Sequence, residues 1–213
     1  MTQILPSINC AYRDLAEAER KVRLASGFAT MLHVDVADGA FTFHKSWNHP
    51  EAWRGIGVDT PFEVHLMVED PLAAAKPWLS AGAKRIIVHA EVTTPELMRE
   101  LTALAAEHGA SVMLALSPES KAKKAEQYFD LTNEFQMLAV HPGPHGQRFL
   151  PHILEKITWI KNRRPDAIIE VDGGIDEISA ALAIARGADL LVSDSFIFES
   201  EDPKAAYERL SSL

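Results

Sequence analysis

Eight short apolar runs, each separated from the next by a longer amphipathic stretch, constrain this chain more than any other feature. The runs are 3–9, 30–35, 62–66, 85–89, 111–116, 136–140, 167–171 and 190–193. They are rich in Ile, Val and Leu and nearly continuous in hydrophobicity, as parallel strands buried on both faces must be. Helix-like periodicity fills 14–24, 71–81, 95–108, 120–129, 151–163, 177–186 and 203–210. Gly27, Gly82, Gly109 and Gly187 follow helix ends, where a left-handed cap is expected. The segment between Asp35 and Phe62 lacks a clear signal, and a short helix near 50–55 would complete the alternation. Such a pattern predicts one domain over 1–213, a (β/α)8 barrel. A doubly wound open sheet is the alternative, but no glycine fingerprint for a dinucleotide follows an early strand.

The bulk numbers narrow the function. A net charge of −9 argues against a general nucleic-acid or membrane-surface partner, both of which reward a basic face. It leaves room for a locally positive pocket that binds an anionic small molecule. The single Cys10 allows no internal disulfide. The first residues lack a basic start followed by an apolar run, and no stretch has the length of a membrane span. The expected location is the cytoplasm.

Catalytic groups of a barrel sit at the C-terminal ends of its strands. Here the second strand ends in His33-Val-Asp35, the third carries His65, and the seventh ends in Asp172-Gly173-Gly174. Residues two apart on a strand share a face, so His33 and Asp35 both point into the mouth. Two imidazoles and two carboxylates converging there could hold a divalent cation, and the two carboxylates could work as acid and base on opposite faces of a substrate. Alternatively, these are hydrogen-bonded rim residues, with Asp35 or Asp38 capping a turn before Gly39 and Asp172 capping one before Gly173.

Over nearly its full length the chain resembles the ribulose-phosphate 3-epimerase family. The resemblance rests on the order and spacing of Ile4-Leu-Pro-Ser7-Ile8, His33-Val-Asp35-Val-Ala-Asp38-Gly39, Val64-His65-Leu-Met67-Val68, Ala81-Gly-Ala83, Val140-His-Pro142-Gly143, Gly146-Gln147-Arg-Phe149 and Ile169-Glu-Val-Asp172-Gly173-Gly174. It implies a (β/α)8 barrel with one divalent metal ion in its mouth. By position, His33, Asp35, His65 and Asp172 match the metal ligands, and Asp35 and Asp172 the acid/base pair. Ser7 matches a residue that contacts substrate and the catalytic carboxylate, and Met67 a methionine that lines the reaction centre. The donor set suits Zn, Fe, Mn or Co alike. The implied chemistry is epimerisation of a ketose phosphate, the D-ribulose 5-phosphate/D-xylulose 5-phosphate type, through an enediolate stabilised as its charge develops. Members are commonly dimers or larger, so a homo-oligomer is expected.

The departures bear on substrate choice. Ala37 and Leu138 stand where the family usually or often has Met. The usual Phe-Val-Pro-Asn after the second strand is replaced by Phe41-Thr-Phe-His44-Lys45-Ser-Trp-Asn-His49, whose Lys and two His could meet an anion or be solvated. The phosphate loops change most. Asn-Pro-Gly-Phe-Gly-Gly-Gln becomes His141-Pro142-Gly143-Pro144-His145-Gly146-Gln147. Pro144 removes an N–H, and His145 replaces a glycine. Asp194-Ser195 stands for the usual Gly-Ser after the eighth strand, while Gly173 and Gly174 are kept. Either Asp194 turns away, His145 donates to a retained phosphate and a ketose phosphate still binds, or the phosphate grip is lost and Asp194 meets hydroxyls of another sugar. The retained phosphate is the expectation adopted. His89 and Glu91 are taken as polar rim residues. An aldolase, decarboxylase or isomerase on the same barrel, or a non-catalytic binding relic, are the competing functions.

Overall fold

A computed structural model of the chain describes residues 2–12, 14–143 and 146–213. The strands are β1 (Gln3–Ile8), β2 (Leu32–Ala37), β3 (Phe62–Met67), β4 (Arg85–His89), β5 (Ser111–Leu116), β6 (Glu134–Leu138), β7 (Ile168–Asp172) and β8 (Leu190–Ser193). They pair in chain order, all parallel, and β1 closes on β8. Between and after them run helices α1 (Leu15–Ala25), α2 (Pro50–Ile56), α3 (Pro71–Ser80), α4 (Pro95–Glu107), α5 (Leu154–Lys161), α6 (Glu177–Ala185), α7 (Ser195–Phe198) and α8 (Pro203–Ser211). The expected (β/α)8 barrel is the fold.

Local chemistry places the helix starts. Asp70 accepts from the Ala73 N–H and is followed by Pro71, and Asp202 accepts from the Ala205 N–H and is followed by Pro203. Thr94 does the same before Pro95, by accepting from Leu97 N. A capping side chain thus satisfies an orphan N–H while proline supplies a preset φ. Asp176 and Ser179 form a reciprocal capping box at α6.

Three expectations need correction. Residues 122–128 form a 3-10 helix rather than an α-helix. Its buried residues, Ala125 and Tyr128, are three apart, the spacing that aligns on a 3-10 surface. The 151–163 stretch likewise opens as a 3-10 turn, Pro151–Ile153, before α5. Gly82, Gly109 and Gly187 take the left-handed conformation, but Gly27 does not. The chain leaves α1 instead through N–H groups of Phe28 and Ala29 folded back onto the Ala25 carbonyl. Gly57, which closes α2, is left-handed at φ 68°.

Every strand turns alternate side chains outward and inward. Val34, Val64, Ile86, Leu114, Phe135, Ile169 and Leu191 face outward and pack under the helices. Leu5, Ile87, Met113, Ala115, Leu190 and Val192 face inward and form a separate apolar cluster within the barrel. The remaining inward positions are polar, and they build the site. Cys10 is buried against α1, and burial pushes its thiol up to about 12. It is therefore expected to resist a thiol reagent such as DTNB in the native protein and to react fully in guanidinium; native and unfolded rates that match would contradict this packing.

Candidate active site

Three polar-x-polar pairs supply the centre: His33-x-Asp35 on β2, Glu63-x-His65 on β3 and Glu170-x-Asp172 on β7. All six side chains point inward and all six residues are buried. The β2–β3 register sets Asp35 beside His65 and, one layer deeper, His33 beside Glu63. Sequence inspection singles out the upper residues and misses Glu63 and Glu170, although the same two-residue alternation marks them.

At the centre, His33 from the deeper layer and Asp35, His65 and Asp172 from the upper one each present one ligand atom, and these atoms lie within 4.8 Å of one another. His65 Nδ1 is 3.1 Å from Asp35 Oδ1 and 3.4 Å from Asp172 Oδ2. His33 Nε2 is 3.4 Å from Asp35 Oδ1 and 3.9 Å from Asp172 Oδ2. Ser7 Oγ donates to the other oxygen of Asp35 at 2.6 Å.

The donor set fits a divalent cation. His33 Nε2 is fully buried and has no hydrogen-bond partner among the described residues. Its other nitrogen, Nδ1, lies 2.6 Å from Glu63 Oε1. Burial would raise Glu63, but the charge and hydrogen bond of His33 hold it below its ordinary value, so Glu63 accepts and Nδ1 carries the hydrogen. A cation that displaced the Nε2 proton would meet a lone pair aimed at the carboxylates, the arrangement by which an outer carboxylate orients a metal-binding histidine. Electrostatics agree. Burial opposes charge on Asp35, yet His33 and His65 hold its carboxyl far below the ordinary range, and both imidazoles are raised despite their own burial. A cluster that gathers protons to neutralise two carboxylates is one where a cation would take their place.

His65 has its own outer support. Its Nε2 lies 2.8 Å from His89 Nε2, with the rings stacked at 4.9 Å. Burial lowers His89 to about 4, despite the opposing hydrogen bond it makes to Glu91, so the ring is neutral and can accept from His65. Its Nδ1 faces Glu91 Oε2 at 3.1 Å and Ser117 Oγ at 3.2 Å. His89 is thus an interior residue in contact with the centre, not a rim residue. Glu91 alone sits toward the edge. The ring of Phe41 covers His89, centroid to centroid 4.6 Å.

Beneath lies a layer unforeseen from the sequence. Arg85 reaches inward from β4 and pairs with Glu63 and Glu134, with Glu170 3.9 Å away. Gln136 Nε2 donates to Glu170 Oε1 at 3.0 Å. Burial and the neighbouring Glu63 raise Glu170 well above the ordinary glutamate range. His33, Glu63 and Glu170 are close enough to resemble a second cation site, but the guanidinium of Arg85 already fills that role.

The pocket above the centre is walled by Met67, Leu138, Val140 and Ile175, with Gly146, Gly173, Gly174, Asp194 and Ser195 at its far end. Gly173 and Gly174 have φ of 105° and 64°. A Cβ on Gly173 would meet Val140 at 2.4 Å, and one on Gly174 would meet the Phe149 backbone nitrogen at 2.4 Å. Only glycine fits either position. Gly143 and His141 also line the pocket, but His141 Nδ1 turns outward to Glu119 at 2.7 Å. Pro144 and His145 lie outside the described residues. Asp194 does not stand alone among the loops: its Oδ1 accepts from Lys21 Nζ at 2.6 Å.

Two loop expectations resolve differently. Asp38 does cap a turn, accepting from the N–H groups of Ala40, Phe41 and Glu69. Asp35 and Asp172 do not; they belong to the centre. Lys45 lies over the Tyr12 ring at 4.1 Å rather than at the pocket, and His49 makes tilted ring contacts with Tyr12 and Trp47. The loop instead meets the pocket edge through Thr42, which donates to the Pro142 carbonyl at 2.9 Å.

The sequence profile described as the ribulose-phosphate 3 epimerase family matches residues 3–198. The chain belongs to the ribulose-phosphate 3-epimerase family. It is 34% identical to the ribulose-phosphate 3-epimerase of Bacillus subtilis, over 99% of this chain and 98% of the relative. It is 34% identical to that of Chlamydia trachomatis, over 93% and 87%. The family is one of isomerases, and this chain keeps the strand-end residues that carried the resemblance. In fold it is similar to a solved 3-hexulose-6-phosphate synthase, with TM-score 0.73 and 16% identity over 99% of both chains. It is also similar to a solved KGPDC from Streptococcus mutans, with TM-score 0.77 and 11% identity over 99% of this chain and 96% of the other. Those two likenesses concern the barrel alone. No helix among the described residues is long and apolar enough to cross a membrane.

Proposed function

We propose that this chain interconverts D-ribulose 5-phosphate and D-xylulose 5-phosphate by moving the proton at C3, with Asp35 and Asp172 as the acid/base pair. The observation that carries this reading is the convergence of those two carboxylates, from β2 and from β7, with His33 and His65 in one buried cluster. A C–H beside a ketone is a weak acid, and inverting it needs one carboxylate to remove the proton and another to return it to the opposite face. His33, Asp35, His65 and Asp172 would hold one divalent ion, Zn, Fe, Mn or Co, which supplies positive charge to the carbonyl and hydroxyl oxygens as the enediolate forms.

This chain's own residues do the rest. Ser7 holds one oxygen of Asp35 through a 2.6 Å hydrogen bond and leaves the other for chemistry. Gln136 Nε2, 3.4 Å from Asp172 Oδ2, restrains the second carboxylate. Met67, Leu138 and Val140 keep water from the intermediate. The backbone N–H groups of Gly173, Gly174 and Ser195, with those of His141, Gly143 and Gly146, receive the terminal phosphate, and His145, which lies outside the described residues, is a further proposed donor. The chain works as one catalytic domain in the cytoplasm, as a homo-oligomer. A second substrate class, an unphosphorylated or differently charged sugar, is favoured by Asp194 at the pocket's far end.

Proton NMR in D₂O tests the proposal. Metal-replete protein is expected to exchange the C3 proton of D-ribulose 5-phosphate and to form the epimer, while unphosphorylated ketopentoses and ketohexoses exchange at least about 100-fold more slowly, as expected when remote binding contacts contribute to catalysis. Exchange with the unphosphorylated sugars alone would establish the second class. Carbon–carbon cleavage products would refute epimerisation. Dialysis against a chelator is expected to abolish exchange, and the divalent ion that restores it identifies the cofactor.

A further inference from the structure

The two histidines of the centre are backed differently. His33 rests its outer nitrogen on a carboxylate, Glu63 Oε1, at 2.6 Å. His65 rests its outer nitrogen, Nε2, on another imidazole, His89 Nε2, at 2.8 Å. Two ring nitrogens this close share a single hydrogen, so one ring donates and the other accepts. The far side of His89 chooses the direction. Its Nδ1 faces Glu91 Oε2 at 3.1 Å, with Ser117 Oγ at 3.2 Å. The other oxygen of Glu91 accepts from the Ser117 N–H at 3.3 Å and from the Ser120 hydroxyl. A carboxylate gathering donors in this way accepts from His89 as well, which puts the hydrogen of His89 on Nδ1. Its Nε2 is then a lone pair, and His65 donates to it. Nδ1 is left as the one nitrogen His65 can offer, and it lies 3.1 Å from Asp35 and 3.4 Å from Asp172. The support is rigid: His89 is wholly buried, and Lys156 Nζ ties the turn after β5 by donating to the Ser117 and Pro118 carbonyls at 2.6 and 2.7 Å. No step of the proposed reaction uses His89.

We infer that His89 is a positioning residue for the cation: it takes the Nε2 hydrogen of His65 and so commits His65 to ligation through Nδ1, with Glu91 setting the direction of the hydrogen bonds. Without that acceptor, a buried Nε2–H on His65 would be left unpaired, at the full cost of its desolvation. The neutral ring would move its hydrogen to Nδ1, where Asp35 and Asp172 accept it, and the hydrogen would compete with the cation for the same place. His89 removes this competition by holding the hydrogen on the other side of the ring. The inference rests on the cation of the proposed function and not on the sugar.

The test uses the full-length protein with Zn²⁺ alone and no sugar. Zinc affinity is read by competition with a chromophoric chelator, and the tautomer of His65 by long-range ¹H–¹⁵N NMR of the zinc-loaded protein. Wild-type His65 is expected to carry a hydrogen on Nε2 and zinc on Nδ1. His89→Leu fills the space but accepts nothing, and its zinc affinity is expected to fall by about 10–100-fold, the usual scale for losing an outer partner. His89→Gln offers an amide oxygen to the same hydrogen and is expected to stay within about threefold of wild type. A role in packing alone would favour the apolar Leu over the Gln. Folded variants that bind zinc like wild type, or that lose affinity alike, overturn the inference. Should neither variant fold, the wild-type spectrum decides: a hydrogen on Nε2 with zinc on Nδ1 supports the inference, and a bare or zinc-bound Nε2 overturns it. Wild-type protein that binds zinc beside a silent His89→Leu variant refutes only this inference. The expected tautomer and graded variants in a protein that does not epimerise D-ribulose 5-phosphate refute only the proposed sugar chemistry. Wild-type protein that binds no zinc refutes the cation and this inference together.

Discussion

Asp35→Asn and Asp172→Asn are each expected to lower epimerisation of D-ribulose 5-phosphate by at least about 10³-fold, read as formation of the epimer by proton NMR in D₂O. Positioned acid–base groups typically contribute about 10²–10⁴-fold, and here each change also removes a negative donor from the cation cluster. An amide matches the carboxylate in shape, so the fold survives while the proton acceptor is lost. The geometry predicts a graded series. Ser7→Ala frees one oxygen of Asp35 from a 2.6 Å hydrogen bond without removing the base, and its loss should be much smaller, about tenfold. Full epimerisation in both Asn variants would mean that the carboxylates only hold the site together.

The second large effect is on stability. Arg85→Met is expected to destabilise the protein by about 3–5 kcal/mol, because it strips the cation from the fully buried Glu63 and from its second partner, Glu134. Glu63 and Glu170 are both wholly shielded from solvent, and Arg85 is the guanidinium that reaches them. For a chain of 213 residues that corresponds to a fall in melting temperature of roughly 6–20 °C by scanning calorimetry. Combining Arg85→Met with Glu63→Gln should recover part of the loss, since the stranded charge is then gone. A melting temperature unchanged in Arg85→Met would show that the inner glutamates do not depend on it. Because Glu63 also orients His33, the single variant should weaken metal binding as well, by roughly 10–100-fold in affinity.

The order of the strands, the inward face of β2 and the four residues of the upper cluster are legible from one chain. Strand alternation is a local signal, and His33-x-Asp35 declares its own face through the two-residue period. Glu63 and Glu170 obey the same period but escape notice, because a lone acidic residue within a strand carries no local sign of what neutralises it. Its partners, Arg85, Gln136 and His33, come from strands far away in sequence, and only the barrel's register brings them into one layer. His89 reads as a rim residue for the same reason: its neighbour His65 lies across β3 and β4. The amphipathic pattern at 120–129 announces a helix but not its pitch, which is settled by how Ala125 and Tyr128 reach the core.

By itself, then, the sequence determined an eight-fold alternation, a mouth carrying two histidines and two aspartates, and membership of an epimerase family, all of which are written in local runs and spacings. It left Asp194 ambiguous, since a carboxylate in a phosphate loop can repel or be balanced. Only the tertiary structure shows a cation beside it, by carrying Lys21 on α1 to within 2.6 Å. A charge's effect depends on what stands beside it in a medium of low dielectric, and closure of the barrel, not the order of residues, chooses those neighbours.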